Sequence, residues 1–461
     1  MIRLFKHYIP HAVLLLWLLD LALLLAAGEV AWRLRTLQID VDSGPIGSRF
    51  GVMSLFVGCV NLAMIAVGVY GADALRSMRY AGARLLVAVS LGVLALSFLD
   101  FVMPGTAPWR SVLLYAMFLA IVALVINRLV MGALLGNHAF RRRVLVLGAG
   151  KRAQRLRELG RKPESGFAIV GFLKMTDGEK IVDEAIPREA IHDLSQFVQN
   201  LGVSEVVLAL EERRNALPLK DLLRVKTAGV HVNDFSTFVE RETGRVDLDT
   251  VNPSWLIFSD GFSSGRALSS AAKRVFDIAA SSLLLLLTFP LIAVFALLVK
   301  IDSRGPAFYR QPRVGLFGQH FDIIKLRSMR TDAEKDGVQF AQAADPRVTR
   351  IGKFIRKVRI DELPQTWSVL KGEMSFVGPR PERPNFVAEL EEQLPYYAER
   401  HMVKPGITGW AQINYPYGAN LEDSRHKLEY DLYYAKNYTP FLDLLILLQT
   451  LRVVLWSEGA R

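Results

Sequence analysis

For its first third the chain alternates long apolar runs with short polar joints, and then it changes character. Ala12 to Trp32, Gly51 to Gly71, Leu85 to Met103 and Val112 to Leu135 each approach the ~20 residues that a helix needs to cross a bilayer. The first run lacks a small-residue cleavage site and three similar runs follow it, so it reads as a span rather than a removed leader. Asp20 and Glu29 fall within or near that span, where an acid is costly unless it faces another helix or the headgroups. Packing against a neighbour is the simpler reading.

Basic residues set the orientation. Arg3 and Lys6 precede the first span, Arg76, Arg79 and Arg84 join the second to the third, and Arg141, Arg142 and Arg143 follow the fourth. Positive flanks stay on the cytoplasmic side, so the chain beyond Arg143 begins there. The first outer joint competes with Arg33, Arg35 and Arg49, diluted by Asp40 and Asp42.

From Val144 to Leu147 an apolar strand runs into Gly148-Ala149-Gly150-Lys151-Arg152-Ala153, a Gly-x-Gly-x-x-Ala turn opening a basic helix. Glycines there let the turn tighten and a phosphate approach the helix N-terminus, which makes Gly148 and Gly150 weak candidates for cofactor contact. Further strands, Ile169 to Leu173 and Glu205 to Leu210, alternate with helical stretches as a parallel sheet requires. The second strand runs into Lys174-Met175 instead of the acid that would hold an NAD ribose, so a structural or regulatory sheet is expected.

A fifth apolar run, Val275 to Val299, carries Pro290 and is flanked by Lys273 and Arg274 before it and Lys300 and Arg304 after it. Matched positive ends want the same side of the membrane, and proline interrupts helix hydrogen bonding. The pattern predicts a re-entrant helix, broken at Pro290, that enters and leaves by one face. The last apolar stretch, Phe441 to Trp456, is too short to span, and either lies at the interface or packs on its own domain.

The expected fold is therefore α/β with membrane helices: a four-helix transmembrane region (1–140), a Rossmann-like parallel-sheet middle domain (141–265), and a mostly helical α+β domain (266–461) with the re-entrant helix at 275–299. Composition adds that 51% of residues are hydrophobic and the net charge is +11, which suits anionic lipids or phosphorylated substrates. Cys59 is the single cysteine, so no internal disulfide is possible, and the eight histidines lack metal-ligand spacing.

The candidate chemistry gathers in the last third. Gly305 to Met329 mixes turn glycines with Arg310, Arg313, Lys325 and Arg327; Arg356-Lys357-Val358-Arg359-Ile360-Asp361-Glu362-Leu363-Pro364-Gln365 and Gly378-Pro379-Arg380-Pro381 follow. Acids among arginines are expected to stay ionised, while the cations suit a pyrophosphate. Such a carboxylate can attack phosphorus or hold magnesium. A solvated salt-bridge cluster explains the same residues equally well.

From about Lys273 onward the chain resembles the monotopic polyprenyl-phosphate phosphoglycosyl transferases that begin bacterial capsule, O-antigen and exopolysaccharide assembly. The likeness rests on five pieces in order: Lys273-Arg274 before a proline-broken run, Lys325-Leu326-Arg327-Ser328-Met329, Asp361 to Gln365, Gly378 to Pro381, and Lys404-Pro405-Gly406-Ile407-Thr408-Gly409-Trp410-Ala411-Gln412. The preceding spans and sheet domain resemble the large exopolysaccharide-type members. The resemblance implies a nucleophile at Asp361, assistance from Glu362, magnesium held through Asp361, and phosphate contacts from Arg356 and Arg380, with Lys325 and Arg327 beside them. Pro379 and Pro381 would fix the second arginine's loop. It further implies a UDP-sugar and undecaprenyl phosphate as substrates, membrane lipids but no nucleic acid as partners, possible homo-oligomers, and the inner membrane with the catalytic domain in the cytoplasm. One departure stands out: smaller relatives continue with Gly-Arg-Asn, where this chain has Tyr415-Pro416-Tyr417-Gly418.

Two other classes compete. A nucleotide-sugar dehydratase or epimerase would use the glycine turn, but no tyrosine here has lysine four positions later. A membrane-anchored nucleotide-binding regulator would need only the middle domain.

Overall fold

The computed structural model describes residues 2–4, 7–9, 11–70, 78–139, 141–162, 165–175, 181–211, 217–251, 267–333, 345–415, 418 and 420–456. Of the orienting cations, Lys6 and Arg76 lie outside these residues, as do Pro416 and Tyr417, and the side chains of Arg3 and Arg79 are not described. The chain forms two compact units, Met1–Gly244 and Arg245–Arg461.

The expected spans are helices α1 (His11–Gln38), α2 (Ile46–Val67), α3 (Met78–Val102) and α4 (Arg110–Ala139). Among the described residues, five helices are long and apolar enough to cross a membrane: stretches of these four and one in the second unit. Their shared core includes Leu24, Phe56, Val60, Met64, Leu85, Leu96 and Leu124. Gly92 of α3 lies so close to α2 that a Cβ would stand 2.5 Å from the Val60 Cα, a small-residue crossing that brings two backbones together.

Polar groups add direction to this apolar packing. Asp20, fully buried in α1, accepts from Arg128 Nη1 (3.1 Å) and Nη2 (2.7 Å), from Asn127 Nδ2 (2.8 Å) and from Tyr70 Oη (2.9 Å). The packing reading of Asp20 therefore takes the form of a fully paired carboxylate joining α1 to α4. Glu29 likewise receives Arg49 Nε (2.9 Å) and Nη2 (2.5 Å), which clamps α1 to the start of α2.

In the same unit a five-stranded parallel sheet is built from β1 (Arg142–Leu147), β2 (Phe167–Lys174), β3 (Ile186–Pro187), β4 (Glu205–Leu208) and β5 (His231–Asp234), in the order β3-β2-β1-β4-β5. Helix α5 (Lys151–Arg161) follows the glycine turn, as the sequence predicts. Gly148 has φ +128°, and a Cβ there would stand 2.8 Å from the Ala209 carbonyl. At the helix N-terminus, where a dinucleotide phosphate would sit, Glu211 Oε1 already accepts from Lys151 N at 2.8 Å. Arg142 pairs with buried Glu205 (2.7 Å) and with Glu242, so its charge also fastens the sheet.

The second unit begins at Arg245, ahead of the boundary at residue 266 expected from sequence. Residues 245–251 belong to it because Val246 and Leu248 are buried in its core and Val246 N donates to the Glu429 carbonyl at 3.0 Å. Helix α6 (Ala267–Asp302) contains Pro290 and stays helical past it, so the expected break into two helices is not observed. Helical hydrogen bonding on either side of the proline carries the chain through. Both ends of α6 are rooted in this unit. Near the first, Lys273 Nζ donates to Asp443 Oδ2 (2.6 Å) and the Val377 carbonyl (2.9 Å), Arg274 to the carbonyls of Val369 and Leu370 (both 2.7 Å), and Asp277 accepts from Ser375 Oγ (3.1 Å). Near the second, Ile292 and Val299 are buried with Leu326 and Ile355. Between the roots, apolar Leu286 and Phe289 are 73% and 69% exposed.

A hairpin of β6 (Phe308–Val314) and β7 (His320–Leu326) follows, then α7 (Arg350–Lys357), a 3₁₀ turn (Ile360–Gln365) and α8 (Thr366–Lys371). Strands β8 (Ser375–Val377) and β9 (Gly406–Thr408) pair in parallel. Helices α9 (Leu421–Asn437) and α10 (Pro440–Trp456) close the core. Leu442 and Ile446 are fully buried, so this part of α10 packs on its own unit; side chains beyond Thr450 are not described.

Two measurements test these assignments. Asp20→Leu strands Arg128 without its partner and is expected to cost about 3 kcal/mol or more in detergent unfolding, while Asp20→Leu with Arg128→Met recovers most of it. Equal losses from the single and double variants would remove the pair from the account. In titration calorimetry NAD is expected not to bind the full chain, and Glu211→Gln is expected to weaken that exclusion. Tight binding by the wild type would refute the reading of Glu211 as an internal anion.

Candidate active site

The Asp361-Glu362 pair sits where a helix is forced to turn. Thr349 Oγ1 caps α7 by accepting from Gly352 N at 3.0 Å, and the helix ends before Arg359, whose φ of +60° is uncommon outside glycine. That left-handed residue redirects the chain into the 3₁₀ turn. Ile360 and Leu363, either side of the acids, pack against the buried cluster of Ile292, Val299, Leu326 and Ile355, two of which belong to α6, and this anchors the turn.

Glu362 is the hub of a cation cluster. Its Oε1 receives Lys325 Nζ at 3.1 Å and Arg380 Nη2 at 3.4 Å, with Arg359 Nη1 3.9 Å away. Burial by itself would raise this carboxyl, but Arg380, Lys325 and Arg359 overcome it and hold the group down at about 2. Burial pulls the Lys325 ammonium below its ordinary value, partly offset by Glu362.

Asp361 is 9% exposed, and its Oδ1 is buried without a hydrogen-bond partner. Burial and the neighbouring Glu362 charge push it up to about 6, against Lys325, Arg356 and Arg359. The expectation that nearby arginines simply keep the pair ionised therefore holds for Glu362, while Asp361 is raised. Buried beside an acid that has already claimed the close cations, it keeps a poorly compensated charge.

The Arg380 loop is held through its backbone. Gly406 N donates to the Pro379 carbonyl (2.9 Å), Arg400 Nη2 to the Arg380 carbonyl (3.0 Å) and Arg313 Nη1 to the Pro381 carbonyl (3.0 Å). A Cβ on Gly378, Gly406 or Gly409 would collide with backbone of the facing loop, so these glycines let 378–381 and 404–409 abut. Arg400 and Arg313, which sequence reasoning missed, hold the carbonyls of Arg380 and Pro381 in the loop that carries the two expected loop-fixing prolines.

The structure brings Lys325, Arg356, Asp361, Glu362 and Arg380 together, and it adds Arg359. Arg327 goes elsewhere, contrary to its expected phosphate contact. Its guanidinium donates to the carbonyls of Val299 (3.3 Å), Ser303 (2.6 Å) and Arg304 (2.8 Å), closing the C-terminus of α6. Among the described residues no three Asp, Glu, His or Cys side chains gather to hold a metal. The orphaned Oδ1 of Asp361 still suits magnesium, which binds through one or two carboxylates together with substrate phosphates.

Residues 268–457 match the bacterial sugar transferase family, and residues 65–230 match a CoA-binding domain. The described residues do not suit the pyrophosphate of such a cofactor at the α5 N-terminus, because Glu211 takes that place. The chain is 44% identical over 240 residues to a UDP-N-acetylgalactosamine-undecaprenyl-phosphate N-acetylgalactosaminephosphotransferase of Aeromonas hydrophila, covering 52% of this chain and 56% of the relative. It is 45% identical over 194 residues to an undecaprenyl-phosphate glucose phosphotransferase of Komagataeibacter xylinus, covering 41% and 36%. With a UDP-glucose:undecaprenyl-phosphate glucose-1-phosphate transferase of Klebsiella pneumoniae it shares 33% identity over 317 residues, 67% of each chain. The chain spans about half or less of the length of the first two relatives and two thirds of the third, and on the ordered motifs, the fold and these matches it belongs to the bacterial sugar transferase family.

Proposed function

We propose that the second unit transfers a sugar-1-phosphate from a nucleotide sugar, a UDP-hexose, to undecaprenyl phosphate as a first membrane step of exopolysaccharide, capsule or O-antigen assembly. One observation carries the reading: a buried carboxylate with an unpartnered oxygen beside a second carboxylate that gathers three cations.

A carboxylate oxygen of Asp361 attacks the phosphorus next to the sugar; an oxygen–phosphorus bond forms there as the pyrophosphate bond breaks, and UMP leaves. An oxygen of the lipid phosphate then attacks the same phosphorus and frees Asp361. A carboxylate nucleophile divides one difficult transfer into two steps. Glu362 stays ionised and holds Lys325 and Arg380 where pyrophosphate charge has to be offset. Magnesium bound through Asp361 and the phosphates would supply further charge neutralisation.

The membrane placement we propose rests on α6. As a straight rod its 36 residues would reach about 54 Å, well beyond a hydrocarbon core of about 30 Å. Both of its ends root in the catalytic unit with the exposed apolar stretch and Pro290 between them, which supports a helix that bends there without breaking and so enters and leaves by the cytoplasmic face of the inner membrane. A site held at that interface meets a soluble nucleotide sugar and a lipid phosphate together.

The first expected outcome concerns Asp361. With its folded value of about 6 above the usual 3.8, the folded chain holds this proton more tightly, so the group's contribution to stability falls as pH rises from about 4 to about 6 and is flat above. Asp361→Asn is expected to abolish lipid-linked product and nucleotide release, yet to melt no lower than wild type at pH 7.5. For wild type, kcat/KM for the nucleotide sugar is expected to rise tenfold per pH unit up to about 6 and then level, since only the ionised group attacks. Exchange of labelled UMP into UDP-sugar that survives in Asp361→Asn would move the nucleophile elsewhere.

The second concerns topology. A cysteine replacing Lys300 is expected to react in spheroplasts only after the membrane is opened to a thiol reagent, and labelling from the periplasmic side would mean that α6 spans.

A further inference from the structure

We propose that Arg400, clamped by Asp431, is a positioning residue that aims Arg380 at the reacting phosphates; this rests on the phosphoglycosyl transfer proposed above. Arg400 and Asp431 are 5% and 2% exposed, far too buried for a surface ion pair. Arg400 Nε and Nη2 donate to Asp431 Oδ2 at 3.1 and 2.7 Å, Nη1 donates to Tyr397 Oη at 2.9 Å, and Nη2 reaches the Arg380 carbonyl at 3.0 Å. The guanidinium also lies over the Tyr397 ring, 5.1 Å from its centre. One planar fork therefore serves a carboxylate, a hydroxyl and a backbone carbonyl, which the point charge of lysine does not match.

Backbone geometry explains why that carbonyl matters. Proline fixes φ at positions 379 and 381 and offers no N–H, so the remaining freedom of this loop lies mainly in its ψ angles. Each ψ sets the direction of a carbonyl. The carbonyls of 379, 380 and 381 are tied to Gly406, Arg400 and Arg313 in turn, which closes that freedom and leaves the Arg380 side chain aimed at Glu362. Stability alone does not call for an ion pair here, since a buried pair can be exchanged for apolar residues of similar volume at little or no loss. What an apolar pair lacks is a donor for the Arg380 carbonyl.

The test is a mutant cycle on the full-length protein in detergent or nanodiscs. Arg400→Met with Asp431→Leu removes both charges together and is expected to keep Tm within a few degrees. Its kcat for UMP release from the nucleotide sugar should fall about a hundredfold, the scale of losing one preorganised charge-stabilising donor, with KM changed much less. Arg380→Ala should give a similar loss. Combining all three changes should cost less than about threefold more, because residues acting through one another are not additive. A folded pair variant with undiminished kcat, or losses that multiply, would overturn the proposal. Should the pair variant not fold, Arg400→Lys replaces it in the same cycle under the same criteria. Wild-type protein that forms no lipid-linked product would instead sink the transferase reading, so the two failures are distinguishable.

Discussion

The catalytic unit is organised around an unequal division of positive charge between two adjacent carboxylates. Glu362 holds Lys325 and Arg380 directly and has Arg359 within 4 Å, and this lowers it to about 2 in spite of burial. Asp361, one residue earlier, faces the opposite balance. Burial and the fixed charge of Glu362 raise it to about 6, with one oxygen unpartnered. Environments that drive two neighbouring acids apart give them separate tasks. Glu362 becomes a permanent anion that assembles a cationic cradle, and in the proposed reaction Asp361 is the group with something to gain by bonding to phosphorus.

Such a division requires that neither side chain relax, and apolar packing supplies the restraint. Ile360 and Leu363 press the turn against α6, while Arg359 accepts a left-handed backbone at the bend. A residue held in a sparsely populated conformation persists only where its surroundings over-determine it. On the opposite side of the cradle, the Arg380 loop is held by three carbonyl contacts and by glycines that let the backbones of 378–381 and 404–409 touch. The two halves of the site thus come from segments that fold for unrelated local reasons and meet at the Glu362 carboxylate.

Much of this was legible from residue pattern. The apolar runs gave the four-helix region, the glycine turn gave the parallel sheet, and the acids among arginines pointed to the residues that the fold gathers into the candidate site. What could not be read was the partner of each charge. Lys273, Arg274 and Arg142 look like orienting flanks, yet each also closes a buried polar network with residues distant in sequence. Arg327 looks like a phosphate ligand because it follows Lys325 by two, but the chain turns after Leu326 and sends it to the end of α6. Glu211 lies some sixty residues after the turn it caps, and Arg400 and Asp431 are thirty-one apart. A sequence window sees charge; only the fold shows which charge is already spent.

The segment Lys325-Leu326-Arg327 shows how membrane and chemistry are joined. Lys325 Nζ reaches Glu362, Leu326 is buried with Val299 of α6 and Ile355 of α7, and Arg327 binds three carbonyls where α6 ends. Three consecutive residues therefore fix the cation cradle, the core and the root of the apolar helix to one another. A shift of α6 along its axis would drag Arg327, and through two peptide units the ammonium of Lys325, away from Glu362. The proposed reaction at a membrane surface would need the Asp361 oxygen at a set height relative to the lipid phosphate, since small misplacements cost large factors in rate. Were α6 embedded as proposed, that height would be set by a rigid joint rather than by the freedom of a loop.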